Sequence, residues 1–487
     1  MEYRFWHLIL TFFIFITGKS LLASEVVLSP QEVIEQIVTT SSEVELIKLN
    51  ESSSLTNVDK AYAGLDWLFE SSIHYEDSKE VNLSAIKNEK DETLSYNLGF
   101  NKMFSTGTKI DFSANRQSRR SILNPFIANN NPGFSSSRTA DLLSLSLSQE
   151  LWRNAFGVNF HKSIHSGRLN ATVANFKKLE DLEELTLQAL KLYWDTFVAK
   201  ESLLASLSSQ KRFEELTNII RSKAKLGYSN PGELNISLAE LEEKNQKVKK
   251  DSVVYLEKTR ELFRLLKKEV PQELTFKINK EILPPEDLPS YDLNELRSIK
   301  ALIMNFEILD NSLKIKKNNY QPQLQLIAAA SYTGADETPE EAWSQALGGD
   351  KPIYSIGLNL NIPIYSRSTE GELKETMFER DKIQVQLKIN KDKLRNQILS
   401  LHDLVNANYM IAQSYFKSFE FRKKAAQQIE RAFRQGRSDI NTLVQTYNAL
   451  SDTETKKIRS LGDYHVSINS LAAALDLLVK SQFKEIH

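Results

Sequence analysis

The sequence predicts a mixed α/β fold in which one arrangement, amphipathic strands followed by a very long helical hairpin, occurs twice along the chain. Three observations lead to this prediction. Segments with period-two alternation lie in both halves, stretches of roughly 70 residues rich in Leu, Lys, Glu, Gln and Ala follow them, and each stretch ends at a matching glycine turn. The 487 residues include only 16 glycines and 12 prolines, which suits long uninterrupted helices.

Residues 1–24 have the features of a secretory signal peptide. Arg4 gives a basic start, residues 8–16 are apolar, and residues 18–24 offer small side chains for cleavage. The apolar run is too short to cross about 30 Å of hydrocarbon as a helix, although an N-terminal anchor is the alternative. No later stretch approaches the roughly 20 apolar residues of a membrane helix, so any crossing of a membrane would use strands.

Two strand-like segments occupy corresponding places in the two halves. Residues 143–152 read Leu-Ser-Leu-Ser-Leu-Ser-Gln-Glu-Leu-Trp, and residues 356–365 read Ile-Gly-Leu-Asn-Leu-Asn-Ile-Pro-Ile-Tyr. Such alternation gives a strand one apolar face and one polar face. The openings of the halves, residues 28–37 and 293–302, also match, and a proline-rich segment at 270–291 separates the halves.

The long stretches end in turns of the same pattern. Each turn has a glycine, a serine two residues later, and leucines seven and fourteen residues later. Glycine can take the left-handed conformation that ends a helix, and a Ser or Asp just after it can cap the next helix. We therefore predict a helical hairpin in each half, with bends at Gly227 and Gly436. A straight helix of about 70 residues would be about 100 Å long, more than a compact domain accommodates.

The first half carries about 50 extra residues. Residues 44–152 correspond to residues 308–365, a separation of 108 residues against 57. The extra part, residues 81–136, contains two alternating arms around Gly107 and an Asn- and Ser-rich loop at 124–137. Six strands result, four before residue 153 and two after residue 320. Because the second half has no counterpart, we expect this hairpin to be dispensable for assembly; the alternative is that it belongs to the same wall of strands.

The chain resembles the outer-membrane efflux family that includes TolC, and the resemblance covers nearly everything after the signal peptide. Residues 189–201, Ala-Leu-Lys-Leu-Tyr-Trp-Asp-Thr-Phe-Val-Ala-Lys-Glu, are similar to the family's A-x-x-x-Y-W-D-L-x-x-A-x-E stretch on its first long helix. Residues 104–109, Phe-Ser-Thr-Gly-Thr-Lys, followed by residues 143–149 and then Leu-Trp-Arg at 151–153, resemble members with an enlarged first strand region.

The resemblance implies a mixed α/β membrane channel. Each subunit of a homotrimer would add strands to one shared outer-membrane β-barrel and helices to one long periplasmic coiled-coil tunnel. Such channels give passive passage to the exterior in tripartite efflux or type I secretion systems, with a periplasmic adaptor (membrane fusion) protein and an inner-membrane pump as partners. The number of strands per chain is too small to close an aqueous pore, and unpaired strand edges are unfavourable in lipid, so association of several copies is expected. The alternative function is a non-transport periplasmic or surface coiled-coil scaffold.

The repeats give the predicted domain boundaries. The first outer-membrane-efflux repeat covers residues 25–270, with its strand region at 65–152 and its helical hairpin at 153–268. The second repeat covers residues 271–487, with its strand region at 321–365 and its helical hairpin at 366–480.

The candidate functional positions lie at the two bends. The resemblance implies that the bends are the periplasmic tips that dock onto the adaptor, and that acidic residues six and nine after the second glycine narrow the closed end. Here those positions hold Thr442 and Gln445, so that acidic constriction is absent. Pairing of Arg437 with Asp439 or Glu233 is then the expected latch, with helix capping and solvent exposure as the alternative role of these charges. The predicted positions are Gly227, Ser229, Gly436 and Ser438 for the turns and the docking of the adaptor, and Glu233, Arg434, Arg437, Asp439, Thr442 and Gln445 for the aperture or its latch.

Composition and motifs argue against several other functions. The 62 basic and 63 acidic residues leave no basic field for nucleic acid, and the absence of cysteine removes disulfides and thiolate metal sites. His161 and His165 lie four apart, on one face if helical, but no third ligand is evident, so we predict no metal site. No Ser-His-Asp order and no phosphate-binding glycine loop are present, so we predict no catalytic residues and no cofactor.

Overall fold

The computed structural model describes residues 25–79, 90–122, 136–228, 230–278 and 282–479. The predicted signal peptide and most of the predicted loop at 124–137 lie outside the described residues. The chain divides into two compact units. The helical unit takes residues up to Glu45, Leu182–Ser290 and residues from Asn396 onward, and the sheet unit takes Leu46–Asp181 and Tyr291–Arg395. Each unit therefore draws on both halves of the sequence, and the predicted repeats are not separate bodies.

The sheet unit is built on a six-stranded antiparallel sheet. Its strands follow one another in the order β2 (Trp67–Ser78), β3 (Lys90–Met103), β4 (Thr108–Ile122), β5 (Ser137–Glu150), β7 (Gln323–Asp336) and β8 (Pro352–Asn361). This sheet has the predicted four strands before residue 153 and two after residue 320, and the strands of the extra hairpin lie inside it. A further strand before residue 153, Glu25–Leu28, belongs to another sheet and was not predicted.

Period-two alternation gives the sheet two different faces. One face is apolar, and the cross-strand register aligns its side chains in rows. One such row crosses all six strands as Phe69, Phe100, Phe112, Leu145, Ala330 and Tyr354. The next row, on the opposite face, contains Glu70, Gly99, Ser113, Ser144, Ser331 and Ile353 and is mostly small or polar.

The connection between β7 and β8 contains a helix that the sequence reasoning did not predict, α6 (Pro339–Gly348). It packs against the apolar face, with Ala342 and Ala346 fully buried. Gly334 permits this contact, because a Cβ atom there would stand 1.9 Å from the Ala342 carbonyl oxygen. The helix therefore lies on the apolar face at the strand ends farthest from the long helices.

The long helices form two hairpins. The first pairs α3 (Val158–Lys225) with α4 (Glu233–Leu265), and the second pairs α7 (Arg367–Arg434) with α8 (Ile440–Ala474). Both α3 and α7 are 68 residues long, as the scarcity of helix breakers predicted. No helix in the described part of the chain is both long enough and apolar enough to cross a membrane. The remaining helices are α1 (Pro30–Thr40), α2 (Ser42–Tyr62) and α5 (Arg297–Asn319).

The helical unit also contains a small parallel sheet of β1 (Glu25–Leu28) and β6 (Glu273–Phe276). The Tyr193 hydroxyl donates to the Leu28 carbonyl oxygen at 3.2 Å, and the rings of Tyr193 and Phe276 meet edge to face at 5.2 Å. Tyr193 is fully buried, and Trp194 is nearly so. Of the Tyr-Trp pair that carries the sequence resemblance, Tyr193 therefore joins α3 to this sheet.

Candidate functional site: the tips of the helical hairpins

The two hairpin bends share one backbone geometry. At the end of α7, Gly436 has φ +74°, its N–H donates to the Phe433 carbonyl, and the next N–H donates to the Ala432 carbonyl at 2.8 Å. At the end of α3, Gly227 has φ +79° and makes the same pair of bonds, to Ala224 and, through the next N–H, to Lys223. This pattern is the Schellman motif, which satisfies the last carbonyl groups of a helix.

The helices that follow the bends begin differently. Asp439 is the N-cap of α8, and its carboxylate accepts from the Thr442 N–H at 2.9 Å and from the Thr442 hydroxyl at 2.6 Å. These two hydrogen bonds hold the pKa of Asp439 below its ordinary value. The N-cap of α4 is Gly232, which has φ +90° and no side chain to cap the helix. The predicted turn residue Ser229 lies outside the described residues.

A shared apolar core lies directly behind the bends. Phe213 and Ile220 of α3 pack with Phe433 of α7 and with Leu443 and Tyr447 of α8, all of them at most 5% exposed. The leucines seven and fourteen residues after the glycines belong to this cluster, Leu443 and Leu450 as buried members and Leu234 and Leu241 at its margin. The repeated spacing in the sequence is therefore the spacing of residues that hold the two hairpins together.

Polar contacts connect the hairpins beside this core. The Asn448 amide donates to Glu240 at 3.1 Å, which joins α8 to α4. Arg212 of α3 lies 3.7 Å from the Glu454 carboxylate and donates to the Ser451 hydroxyl of α8 at 3.1 Å. These contacts fix the relative register of the helices at the tip.

The charges expected to form a latch have partners within their own hairpins. Arg434 pairs with Glu430 one turn earlier at 2.8 Å, Arg437 donates to the Gln435 side chain, and the Glu233 carboxylate accepts from Asn230 at 2.8 Å. Asp439 caps α8, as the alternative interpretation expected. Thr442 and Gln445 are both exposed. A latch formed by Arg437 with Asp439 or Glu233 stays a prediction.

Two exposed apolar residues at the first bend were not among the positions predicted from the sequence. Leu226 is 69% exposed and Tyr228 is 81% exposed, one on each side of Gly227. The corresponding positions of the second bend hold Gln435 and Arg437, which are polar. The signal was present in the sequence as two large apolar side chains beside a predicted turn, a place where such residues have no core to enter.

A buried histidine lies elsewhere in the helical unit. His465 stacks on the Trp194 ring with centroids 4.0 Å apart, and burial lowers the pKa of His465 to about 4. Of the histidines considered as metal ligands, His165 lies 2.9 Å from the Glu307 carboxylate. Among the described residues, no group of three or more His, Asp or Glu side chains is placed to hold a metal ion.

Compared by sequence, the chain matches no protein-family model and no curated protein. Compared by structure, it is similar to three outer-membrane proteins, two of them described as channels, over 92% of its length. The CmeC outer membrane channel of Campylobacter jejuni aligns over 85% of that chain with a TM-score of 0.69 and 12% identity. The VceC outer membrane protein of Vibrio cholerae aligns over 96% with a TM-score of 0.66 and 10% identity.

The third structure is the open state of the MtrE outer membrane channel of Neisseria gonorrhoeae, which aligns over 88% of that chain with a TM-score of 0.67 and 13% identity. All three similarities include the strands and the long helices together, since they extend over almost the whole chain. The fold of this chain is therefore that of the TolC-like outer-membrane channels, as the sequence resemblance predicted.

Proposed function

We propose that the chain is one subunit of a homotrimeric channel in the bacterial outer membrane, with a periplasmic helical extension. It gives passive passage to the exterior from a periplasmic adaptor and an inner-membrane pump, in a tripartite efflux or type I secretion system. The observation that supports this function most is the two-faced sheet with unpaired outer edges, in a chain whose fold is shared with such channels.

The exposed fractions on the apolar face support a lipid environment. Phe69 is 55% exposed, Ile73 is 71% exposed, and Ile356 is 78% exposed in the single chain. A continuous apolar surface of this kind is unfavourable in water and marks a surface that meets lipid or protein. Alternation of apolar and polar residues, which is clear in β2, β3, β5 and β8, is the pattern of strands in an outer-membrane barrel.

The edges of the sheet support association of several copies. No described strand pairs with the outer edge of β2 or of β8. Unpaired backbone groups are costly in hydrocarbon, so an open sheet is not stable there. Pairing of β8 of one copy with β2 of the next would satisfy both edges and close the wall.

The hairpin tips are the proposed site of partner contact. Leu226 and Tyr228 present apolar surface next to Gly227, and apolar surface at an exposed turn is suited to docking an adaptor. Arg434, Arg437 and Asp439 lie at the second bend, where threefold repetition would place them near the axis of a closed tip. Individual exposed ion pairs are weak, so such a tip could open when a partner binds the open state better.

A matched pair of substitutions tests whether the apolar face meets lipid. Leu145→Lys places a charge on the apolar face of β5, and Ser146→Lys places the same charge on the polar face one residue later, beside Asp111. A lysine on the lipid side at mid-bilayer costs about 2–4 kcal/mol, whereas a lumen lysine is tolerated. We expect Leu145→Lys to reduce the trimer recovered from outer membranes and Ser146→Lys to leave it unchanged. Equal yields, from a protein that is soluble without detergent, would favour the scaffold function instead.

A further inference from the structure

The described strands of the extra hairpin of the first half are built into the middle of the sheet. Its strands β3 and β4 lie between β2 and β5, and β2 pairs with β3 along its whole length, from Trp67 opposite Lys102 to Ser78 opposite Asp91. The apolar row through Phe100 and Phe112 continues the rows of the neighbouring strands without interruption. The hairpin therefore has the same two faces as the rest of the sheet.

The inner turn of this hairpin packs against the start of α3. Gly157 has φ +73°, and a Cβ atom there would stand 1.7 Å from the Ser105 carbonyl oxygen. Gly107 has φ +74°, and the Gln149 amide donates to the Thr106 carbonyl at 3.1 Å. The turn therefore packs closely against the junction between β5 and α3, as expected of an integral part of the sheet.

The outer half of the hairpin is tied to the second half of the chain. Arg116 of β4 binds the fully buried Asp141 carboxylate of β5 through two hydrogen bonds, of 2.8 and 2.9 Å. The same guanidinium donates to the Pro339 carbonyl oxygen of α6 at 3.1 Å and lies 5.7 Å from the centre of the Trp343 ring. Removing β4 would therefore leave Asp141 buried without its cation, which is unfavourable.

We propose that three copies close a barrel of eighteen strands in which this hairpin supplies one third of the wall. The inference rests on the proposed trimeric channel and goes beyond it, because four strands per chain, as two minimal repeats would give, would close a barrel of twelve. The six strands alternate in direction from β2 to β8, so β8 of one copy and β2 of the next are antiparallel. An even number of strands per chain therefore allows an antiparallel wall all the way round.

The size of the lumen follows from the number of strands. With strands about 4.8 Å apart and tilted by about 40°, eighteen strands give a backbone diameter of about 36 Å, whereas twelve give about 24 Å. The polar face carries small residues such as Gly99, Ser113 and Ser144, which do not fill the interior. Barrels of 16–18 strands leave an aqueous channel. The outer part of the duct would therefore be wider than a wall of twelve strands would make it.

The test is a strand count in the purified trimer by electron cryomicroscopy, for the wild type and for a shortened variant. The variant replaces residues 79–135 with Asn-Gly, a sequence that favours a tight hairpin turn. β2 and β5 are antiparallel once β3 and β4 are removed, and Asp77 would then lie opposite Ser137, which keeps both apolar faces on one side. We expect eighteen strands and about 36 Å in the wild type, and twelve strands and about 24 Å in the variant.

Each outcome has a distinct meaning. A wild-type trimer with twelve strands in its wall, and with β3 and β4 outside it, would overturn the inference but leave the proposed channel intact. A wild-type protein that does not form a trimer in membranes would overturn the proposed function itself. If the shortened variant does not assemble, the strand count of the wild type still decides the question. Exclusion of polyethylene glycols added on the outer side gives a second measure, with a larger cutoff expected for the wild type than for the variant.

Discussion

Alanine at Gly436 would separate backbone strain from crowding at the tip. Gly436 has φ +74°, and a Cβ atom there would meet no atom within 4 Å, so the added methyl group changes only the backbone energy. The left-handed conformation costs an L-residue roughly 1–2 kcal/mol. We therefore expect Gly436→Ala to destabilise the Schellman turn by that amount without disturbing the core behind it.

The chain offers a matched control and a matched rescue. Gly371 of α7 also has open space around its Cβ position but lies inside a helix, without a positive φ. Gly371→Ala should therefore stabilise the protein by about 0.5–1 kcal/mol. Gly436→Asn should destabilise the turn less than Gly436→Ala does, because asparagine adopts the left-handed conformation more readily than alanine.

Native-state hydrogen exchange at the bend is the assay. The N–H groups of Gly436 and Arg437 donate to the last carbonyl groups of α7, at 3.0 and 2.8 Å. A loss of 1–2 kcal/mol in the local opening free energy corresponds to roughly 5–30-fold faster exchange of these amides. If Gly436→Ala exchanges at the wild-type rate, or if Gly371→Ala shows the same acceleration, the conformational argument is refuted.

Three further predictions concern the helical unit. Arg437→Glu should raise the resting conductance and the sensitivity of cells to large antibiotics while trimer yield stays constant. Phe213→Ala should cost about 3–5 kcal/mol, seen as a lower thermal midpoint, because Phe213 is fully buried in the tip core. The pKa of His465 is about 4 in the folded protein, against 6.5 for a histidine in an unfolded chain. Between these two pH values the unfolded state therefore binds more protons than the folded state. Stability should therefore fall by about 3 kcal/mol per chain as the pH falls from 6.5 to 4, and His465→Phe should flatten this part of the profile.

Each of these predictions has an outcome that would contradict it. Resting conductance at the wild-type level in Arg437→Glu would assign the tip charges to capping and solvation alone. Phe421→Ala is the control for Phe213→Ala, because Phe421 is 69% exposed, and equal losses in the two variants would argue against the tip core. If stability depends on pH in the same way after His465→Phe, groups other than His465 cause this pH dependence.

The features that could be predicted from the sequence are those with a local periodic signal. Period-two alternation located the strands, and Gly227 and Gly436 located the bends because a left-handed residue ends a helix wherever it occurs. The helix α6 was missed because ten residues between two strands carry too few helical turns to show a period. The pairing of β1 with β6 joins residues 25–28 to residues 273–276, and no local pattern reports a contact over that separation.

The charges at the tips show a different limit of sequence reasoning. The sequence offered Asp439 or Glu233 as a partner for Arg437, because Thr442 and Gln445 carry no carboxylate. In the structure the Asp439 carboxylate caps α8 instead, because at the N-cap position it accepts a hydrogen bond from an N–H group in the first turn of this helix. The guanidinium of Arg437 donates a hydrogen bond to the nearby Gln435 side chain. In the single chain, the hydrogen-bond requirements of the helix ends determine the partners of these side chains, and their role at the tip stays a prediction.

Copies of this chain are proposed to form a water-filled conduit through the outer membrane. The decisive measurement is the ion conductance of the purified, detergent-extracted trimer in planar lipid bilayers. We predict discrete steps of ion conductance that appear with the wild-type trimer and are lost with Leu145→Lys. A monomer that stays in solution without detergent and adds no conductance to the bilayer would contradict the claim.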